Sequence, residues 1–406
     1  MRKWIACLSV MTLATNILSL PAEAKHHSQA DKSQSQTQQV AGKTAWQPEL
    51  KVGVLQNQSA VNIVVRGKAQ VLAAGSKKPV LTLAANEKVT IKADGKHLRV
   101  NEKKIAANSV TIQAAEAALA DKFRFTAGGH DYRGAAVVML KGSSLTLIDQ
   151  LRAEDYLYSV VPEEMPSEWP QEAVKAQAVA ARTFALQNRG RHDSQGYDLC
   201  MSTHCQVYGG TASEKAASSK AVDATRGETL VYNNKLIDAL FHTDSGGMTE
   251  NSEDVWGSRL PYLRAATEVH THTQPWEKTV TAEQMARLVQ QSSHKDIGKL
   301  KKIEQSALHF GKASGDRSVS GRVRHVTFIG SQGRAEVTGN KLREILGLKS
   351  TLFTMSLKNN SVIIKGYGWG HGLGLSQYGA KAWAGQKDYK AILAHYYQGT
   401  TLKKLY

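Results

Sequence analysis

Cysteine is almost missing from this chain: 406 residues contain 3, and the first, Cys7, lies in an N-terminal apolar run. A disulfide-dense scaffold is therefore excluded, and Cys200 and Cys205 stand as one isolated pair. Acidic residues are also short, 35 against 52 Lys+Arg, which leaves a net charge of +17. That balance points to anionic partners: nucleic acid, acidic lipid or an acidic polymer such as a bacterial wall. Beyond the N-terminus no apolar stretch approaches the roughly 20 residues that a membrane-spanning helix needs. No serine stands in G-x-S-x-G, so the elbow of the α/β-hydrolases is missing. The glycine-rich stretch 366–380 completes neither G-x-G-x-x-G nor a P-loop, because His371, Leu373 and Leu375 fall where glycine is required. There is no internal repeat.

What is present is an ordinary globular composition, 41% hydrophobic and 21% charged, with length for two or three domain-sized units. The chain opens with Met1-Arg2-Lys3, a broken apolar run, and the small-x-small set Ala22-Glu23-Ala24. This reads as a signal peptide over 1–24, cleaved after Ala24, rather than a spanning helix. Residues 25–45, rich in Ser, Gln and Lys, read as a flexible linker. The mature protein is then exported, extracellular or in the cell envelope, which removes nucleic acid from the list of partners.

From Trp46 to about residue 150, short apolar runs such as 61–65, 80–83, 89–91, 110–112, 135–140 and 145–148 alternate with Gly, Asn and Lys-rich turns. That is period-two, β-rich sequence with hairpin spacing. Residues 151–406 read as a mixed core. A helix over 170–188 starts at Pro170 and carries Val174, Ala178, Ala181 and Ala185 on one stripe, with Ala173, Ala176 and Ala180 beside it. Alanine on two sides predicts a helix buried in the middle of the domain. Further helices are expected over 281–293, 341–347 and 389–399, with a hairpin in 220–247 and a strand pair in 321–339. The fold class expected is α+β: a β-rich N-terminal part (46–150) packed with a mixed α/β core (151–406) around the Ala-rich helix.

Four stretches carry chemistry. In VVPEEMPSEWP (160–170), Glu163 and Glu164 sit on an expected short loop among Val, Met and Trp. Apolar neighbours penalise the ionised carboxylate and keep a carboxylic acid able to donate a proton near neutral pH. Composition does not separate the two glutamates. In CMSTHC (200–205), Cys200, His204 and Cys205 are zinc-ligand types, with His192 upstream; a zinc clip, a disulfide and free thiols are all open. HTDSGG (242–247) reads as a turn rather than a nucleophile site. In GYGWGHGLGLSQYGA (366–380), alternating glycines allow a close backbone approach and leave Trp369, His371, Ser376, Gln377 and Tyr378 to line a surface suited to carbohydrate. A tight structural crossing is the competing reading.

Taken together and in order, 154–185, 200–210, 241–257, 260–263, 320–323 and 366–384, with YRG at 132–134, resemble the SpoIID/LytB family. The resemblance runs from about residue 50 to the end. It implies action on bacterial peptidoglycan. Sporulation members are lytic transglycosylases that cut between N-acetylmuramic acid and N-acetylglucosamine, whereas LytB-type members enhance a wall amidase. The family's acid is the glutamate directly before Met-Pro, which is Glu164 here. A 6-hydroxyl of the sugar itself acts as nucleophile and yields a 1,6-anhydro end, so one carboxyl suffices and no cofactor is required for the chemistry. On this reading Gln206, Tyr208, Ser245 and His371 are expected to hold the glycan. The family's Cys/His segment favours a structural zinc on Cys200, His204 and Cys205, or a Cys200–Cys205 disulfide, over free thiols. The expected partners are peptidoglycan glycan strands, anionic wall polymers and a cell-wall amidase.

Overall fold

Alternation of buried and exposed residues builds the first half of the molecule. Along Ala60–Val65 and Ser109–Ala114 every second side chain is buried, as a half-buried strand requires. The computed structural model describes residues 46–268 and 275–406; the expected leader and linker lie outside them. A seven-stranded sheet runs in the order Leu199–Cys200, Glu49–Gln58, Ser144–Arg152, Ala135–Lys141, Ser109–Ala114, Ala69–Ala73, Pro79–Leu83. A six-stranded sheet is built on Ala60–Val65 and Lys88–Asp94. Both feed one hydrophobic core that includes Val52, Ile63, Ile91, Phe125 and Leu147.

That core does not stop at residue 150. The boundary expected there falls inside the strand Ser144–Arg152, and the same cluster continues through Tyr156, Val160, Val179, Leu375 and Tyr397. The short strand Leu199–Cys200 pairs in parallel with Glu49–Gln58, so the sheet itself draws a strand from the second half.

Helix α1 (Ala153–Glu164) follows directly, and α2 (Gln171–Gln187) comes next. Helix α2 is buried almost without interruption from Ala173 to Leu186. It contacts α1, the helices Ala216–Ala224, Gln377–Trp383 and Tyr389–Tyr396, and the strand Glu228–Tyr232. Its alanines let these elements pack closely, as the sequence pattern predicts. Pro170 is the residue just before the helix and not its first turn. The hairpin Glu228–Leu236 turns on Asn233 and Asn234, both at positive φ (49° and 62°), the combination a two-residue type I′ turn needs.

Residues 276–366 form a second cluster that the sequence reading did not separate. Two three-stranded sheets and the helices Ala282–Ser293 and Gly339–Leu346 enclose Met285, Val289, Phe328, Leu342, Phe353 and Ile364. Thr281 and Gln284 cap the first of these helices reciprocally. Among the described residues no helix is long and apolar enough to cross a membrane.

A buried ion pair sits inside the core. Arg182 of α2 donates through Nε and Nη2 to the two carboxylate oxygens of Glu154 in α1, both at 2.8 Å, and to the carbonyls of Val222 and Glu228. Burial alone would raise the Glu154 pKa; the Arg182 guanidinium reverses that and holds it below the ordinary value. Removing one member of such a pair leaves an uncompensated buried charge. Arg182→Met is therefore expected to destabilise the protein by roughly 3–5 kcal/mol in denaturant unfolding. A loss below about 1 kcal/mol would show that the pair does not hold α1 to α2.

Candidate active site

Helix α1 places the two glutamates. They were expected on a short loop, and the structure corrects this: both lie in the last turn of α1, with Pro162 inside the helix. A proline so near the end removes a single intrahelical bond. The helix then stops because Met165 precedes Pro166, and a pre-proline residue is pushed out of the helical region; Met165 is extended at φ −138°, ψ 132°. Successive helical residues point about 100° apart, and this separates the pair. Glu163 is exposed and accepts a hydrogen bond from the Ser213 hydroxyl. Glu164 turns inward and accepts from the Val207 backbone N–H at 3.0 Å. Burial pushes the Glu164 carboxyl up to about 7; the Val207 N–H opposes this and the nearby Glu163 charge adds to it. The negative end of α1 acts in the same direction as burial.

Glu164 lines a cleft of about 520 Å³. The facing wall is the glycine-rich loop laid against residues 240–246. Phe241 and His242 pair with Leu375 and Ser376, and Asp244 bridges to Trp369. The loop approaches so closely that a Cβ on Gly370 would lie 2.7 Å from the Cβ of His242, and Gly370 adopts φ 113°. The stretch is thus a tight crossing that also presents side chains. Trp369 and Trp256, 54% and 51% exposed, stand in the cleft wall as flat apolar faces. The inserted cluster contributes Arg343, half-buried and without a carboxylate partner among the described residues. Desolvation lowers its pKa, yet it stays a cation at neutral pH. Asp238 is the other carboxyl in this wall, and its Oδ1 accepts from the Asn188 amide at 3.1 Å.

Of the four residues expected to hold a glycan, the structure brings only His371 to the cleft. Gln206 is buried, accepting from the Tyr156 hydroxyl (3.1 Å) and donating to the Ala181 carbonyl (3.3 Å). Tyr208 is buried between the Tyr132 and Tyr156 rings and donates to Asp149 at 2.6 Å. Ser245 is buried and its hydroxyl accepts from the Gly247 N–H. These three fix the segments around the cleft from behind. His371 accepts from the Leu373 N–H at Nδ1 (3.0 Å) and is also bonded to the Phe241 backbone. Sequence reasoning missed Trp256, His242 and Arg343 as cleft residues. The first two stood inside the family segment 241–257, but nothing in composition marked them.

At the cleft edge, His192, Cys200, His204 and Cys205 bring one ligand atom each to within 4.8 Å of one another. The Cys200 and Cys205 sulfurs lie 3.6 Å from His204 Nδ1, and Cys205 Sγ lies 3.5 Å from His192 Nε2. A tetrahedron with Zn–S of about 2.3 Å and Zn–N of about 2.0–2.1 Å has edges of about 3.6 Å. Donor set and spacing therefore fit zinc with four protein ligands. His192 completes the three residues named from sequence, and both thiols are free in the structure.

Comparison with known proteins adds identity to this geometry. The family model described as Stage II sporulation protein (SpoIID) matches residues 141–232, which span α1, α2 and the Cys/His cluster. A second model, a domain of unknown function (DUF8618), matches 264–374, the inserted cluster and much of the glycine-rich loop. An uncharacterized protein of Brachyspira hyodysenteriae is 30% identical over 80% of this chain and 84% of its own length. The amidase enhancer of Bacillus subtilis is 33% identical over 61% of this chain, which spans only 40% of that longer protein. Stage II sporulation protein D of Bacillus subtilis is 31% identical over 63% of this chain and 76% of its own length. On these matches the chain belongs to the SpoIID family.

Proposed function

We propose that this protein is an exported peptidoglycan lytic transglycosylase in which Glu164 is the general acid and base. One observation carries the reading: a carboxyl with a pKa near 7 in a large cleft walled by two exposed tryptophans. At neutral pH a substantial fraction of Glu164 is protonated. It donates that proton to the glycosidic oxygen as the bond from the muramic C1 breaks. The carboxylate so formed then takes the proton of the muramic 6-hydroxyl as its oxygen bonds C1, closing the 1,6-anhydro ring. Trp256 and Trp369 offer apolar faces to sugar rings, and Arg343 offers a cation to the carboxylates that muramic residues carry. The net charge of +17 favours residence on an anionic wall.

The relative named amidase enhancer favours a second reading, in which the same cleft binds glycan without cutting it and the protein stimulates a cell-wall amidase. Digestion of purified glycan strands separates the two. The wild-type protein should release anhydro-muramic ends, and Glu164→Gln should lose at least 100-fold in rate while still co-sedimenting with strands. Because the acid must be protonated, activity should fall as pH rises through about 7. Glu163→Gln should keep activity and move that alkaline limb to lower pH, since a like charge beside Glu164 is removed. Equal loss in both glutamate variants, or no anhydro ends from wild type, sinks the reading.

We also propose that His192, Cys200, His204 and Cys205 hold a structural zinc that shapes the cleft edge. Four protein ligands leave no open position, so the ion would supply rigidity to 192–205 and not a Lewis acid. Elemental analysis of the exported protein should find one zinc per chain, lost in Cys205→Ser together with thermal stability. A metal-free protein with a mass 2 Da low would indicate the disulfide instead.

A further inference from the structure

His242 stands in the cleft wall with one ring nitrogen unaccounted for. The residue is 4% exposed. Its Nδ1 lies 3.0 Å from the Leu373 carbonyl oxygen, which only accepts, so Nδ1 carries a hydrogen. Burial strongly disfavours the imidazolium, and His371, Arg322 and Arg343 disfavour it further. The ring is therefore neutral, with its proton on Nδ1 and a bare lone pair on Nε2. Among the described residues Nε2 has no hydrogen-bond partner. A buried acceptor left unpaired is costly, and native proteins seldom carry one without a reason.

The neighbouring histidine shows the contrast. His371 lies 5.5 Å away ring to ring, lines the same cleft and is bonded to the Leu373 N–H and the Phe241 backbone. His242 reaches this wall with an open acceptor, held in one tautomer by Leu373, and the bare Gly370 backbone leaves room for its Cβ. A donor brought into the cleft would complete it.

We infer that His242 Nε2 accepts a hydrogen bond from a hydroxyl of the bound glycan beside Glu164, which makes it a binding and orienting residue for the sugar. It is not a second base, because a neutral ring in this setting resists taking a proton. Nε2 is covered in the free protein, so the contact forms with a small side-chain adjustment of the cleft as the strand seats. The inference rests on the proposed glycan-binding role of the cleft, but not on cleavage.

Asparagine at 242 keeps a donor for Leu373 and removes the Nε2 acceptor, while glutamine restores an acceptor further out. In the active protein, His242→Asn should lower kcat/KM about tenfold to hundredfold, with His242→Gln recovering part of the loss. The same order should appear in strand affinity when both changes are placed in Glu164→Gln, which separates binding from chemistry. Should His242→Asn fold poorly, nitrogen-15 histidine spectra of Glu164→Gln protein give an answer without touching the ring. The His242 Nε2 resonance should move when glycan strands are added. An unmoved resonance with strands bound, unchanged affinity in His242→Asn, or no strand binding at all overturns the inference. If wild type makes no anhydro ends while the resonance still shifts, the transglycosylase reading fails and the His242 contact stands.

Discussion

Arg182 and Glu154 meet where water is excluded, two N–H groups on two carboxylate oxygens, and the remaining guanidinium hydrogens go to the Val222 and Glu228 carbonyls and the Thr225 hydroxyl. That geometry admits little slippage between α1 and α2. Because many elements of the core pack on α2, fixing α1 to it fixes the end of α1 relative to the rest of the core. Glu164 is the last residue of α1. Its position in the cleft wall is thus set by an ion pair nearly three helical turns away and by the proline that ends the helix. The Tyr406 hydroxyl also donates to Glu154, which ties the last described residue to the same point.

The site then follows from two opposite electrostatic arrangements. Around Glu164, burial and a neighbouring carboxylate disfavour the ionised form, so the acid keeps its proton to about pH 7. In the same cleft, Arg343 brings a cation with no carboxylate partner among the described residues, and desolvation keeps His242 and His371 neutral. A carboxyl that holds a proton, in one cleft with a cation and exposed aromatic rings, suits the proposed substrate with its sugar rings and carboxylates. The inserted cluster matters here because it carries Arg343 into the wall on its own helix, Gly339–Leu346. That cluster thus adds a residue to the cleft lining as well as having a core of its own.

Much of the fold was legible where one physical signal dominated. Period-two strands such as 60–65 and 109–114, the Ala-lined α2 and the Asn-Asn hairpin each follow from local chemistry. The end of α1 was not legible, since Pro162 and the Tyr/Val run before it argue for loop or strand until tertiary packing decides. Nor was the separate core of 276–366, whose strands look like any others in sequence. At the site, the family pattern singled out Glu164, which composition left tied with Glu163. The same pattern drew attention to Gln206, Tyr208 and Ser245, polar residues that turn out to be internal braces. Burial cannot be read from a motif, and that is why His242 and Arg343 emerge only in three dimensions. The glycine alternation, ambiguous as sequence, resolves into a loop that is both a close crossing and a cleft wall.

The central claim is that one carboxyl is enough because the nucleophile is the sugar's own hydroxyl and not water. Digestion in oxygen-18 water tests this at the atom that matters. The account predicts new muramic ends that carry no heavy oxygen and are lighter than a hydrolysed end by one water. One oxygen-18 at each new end would mean that water attacks, with Asp238 then the carboxyl available to activate it, and would contradict the account.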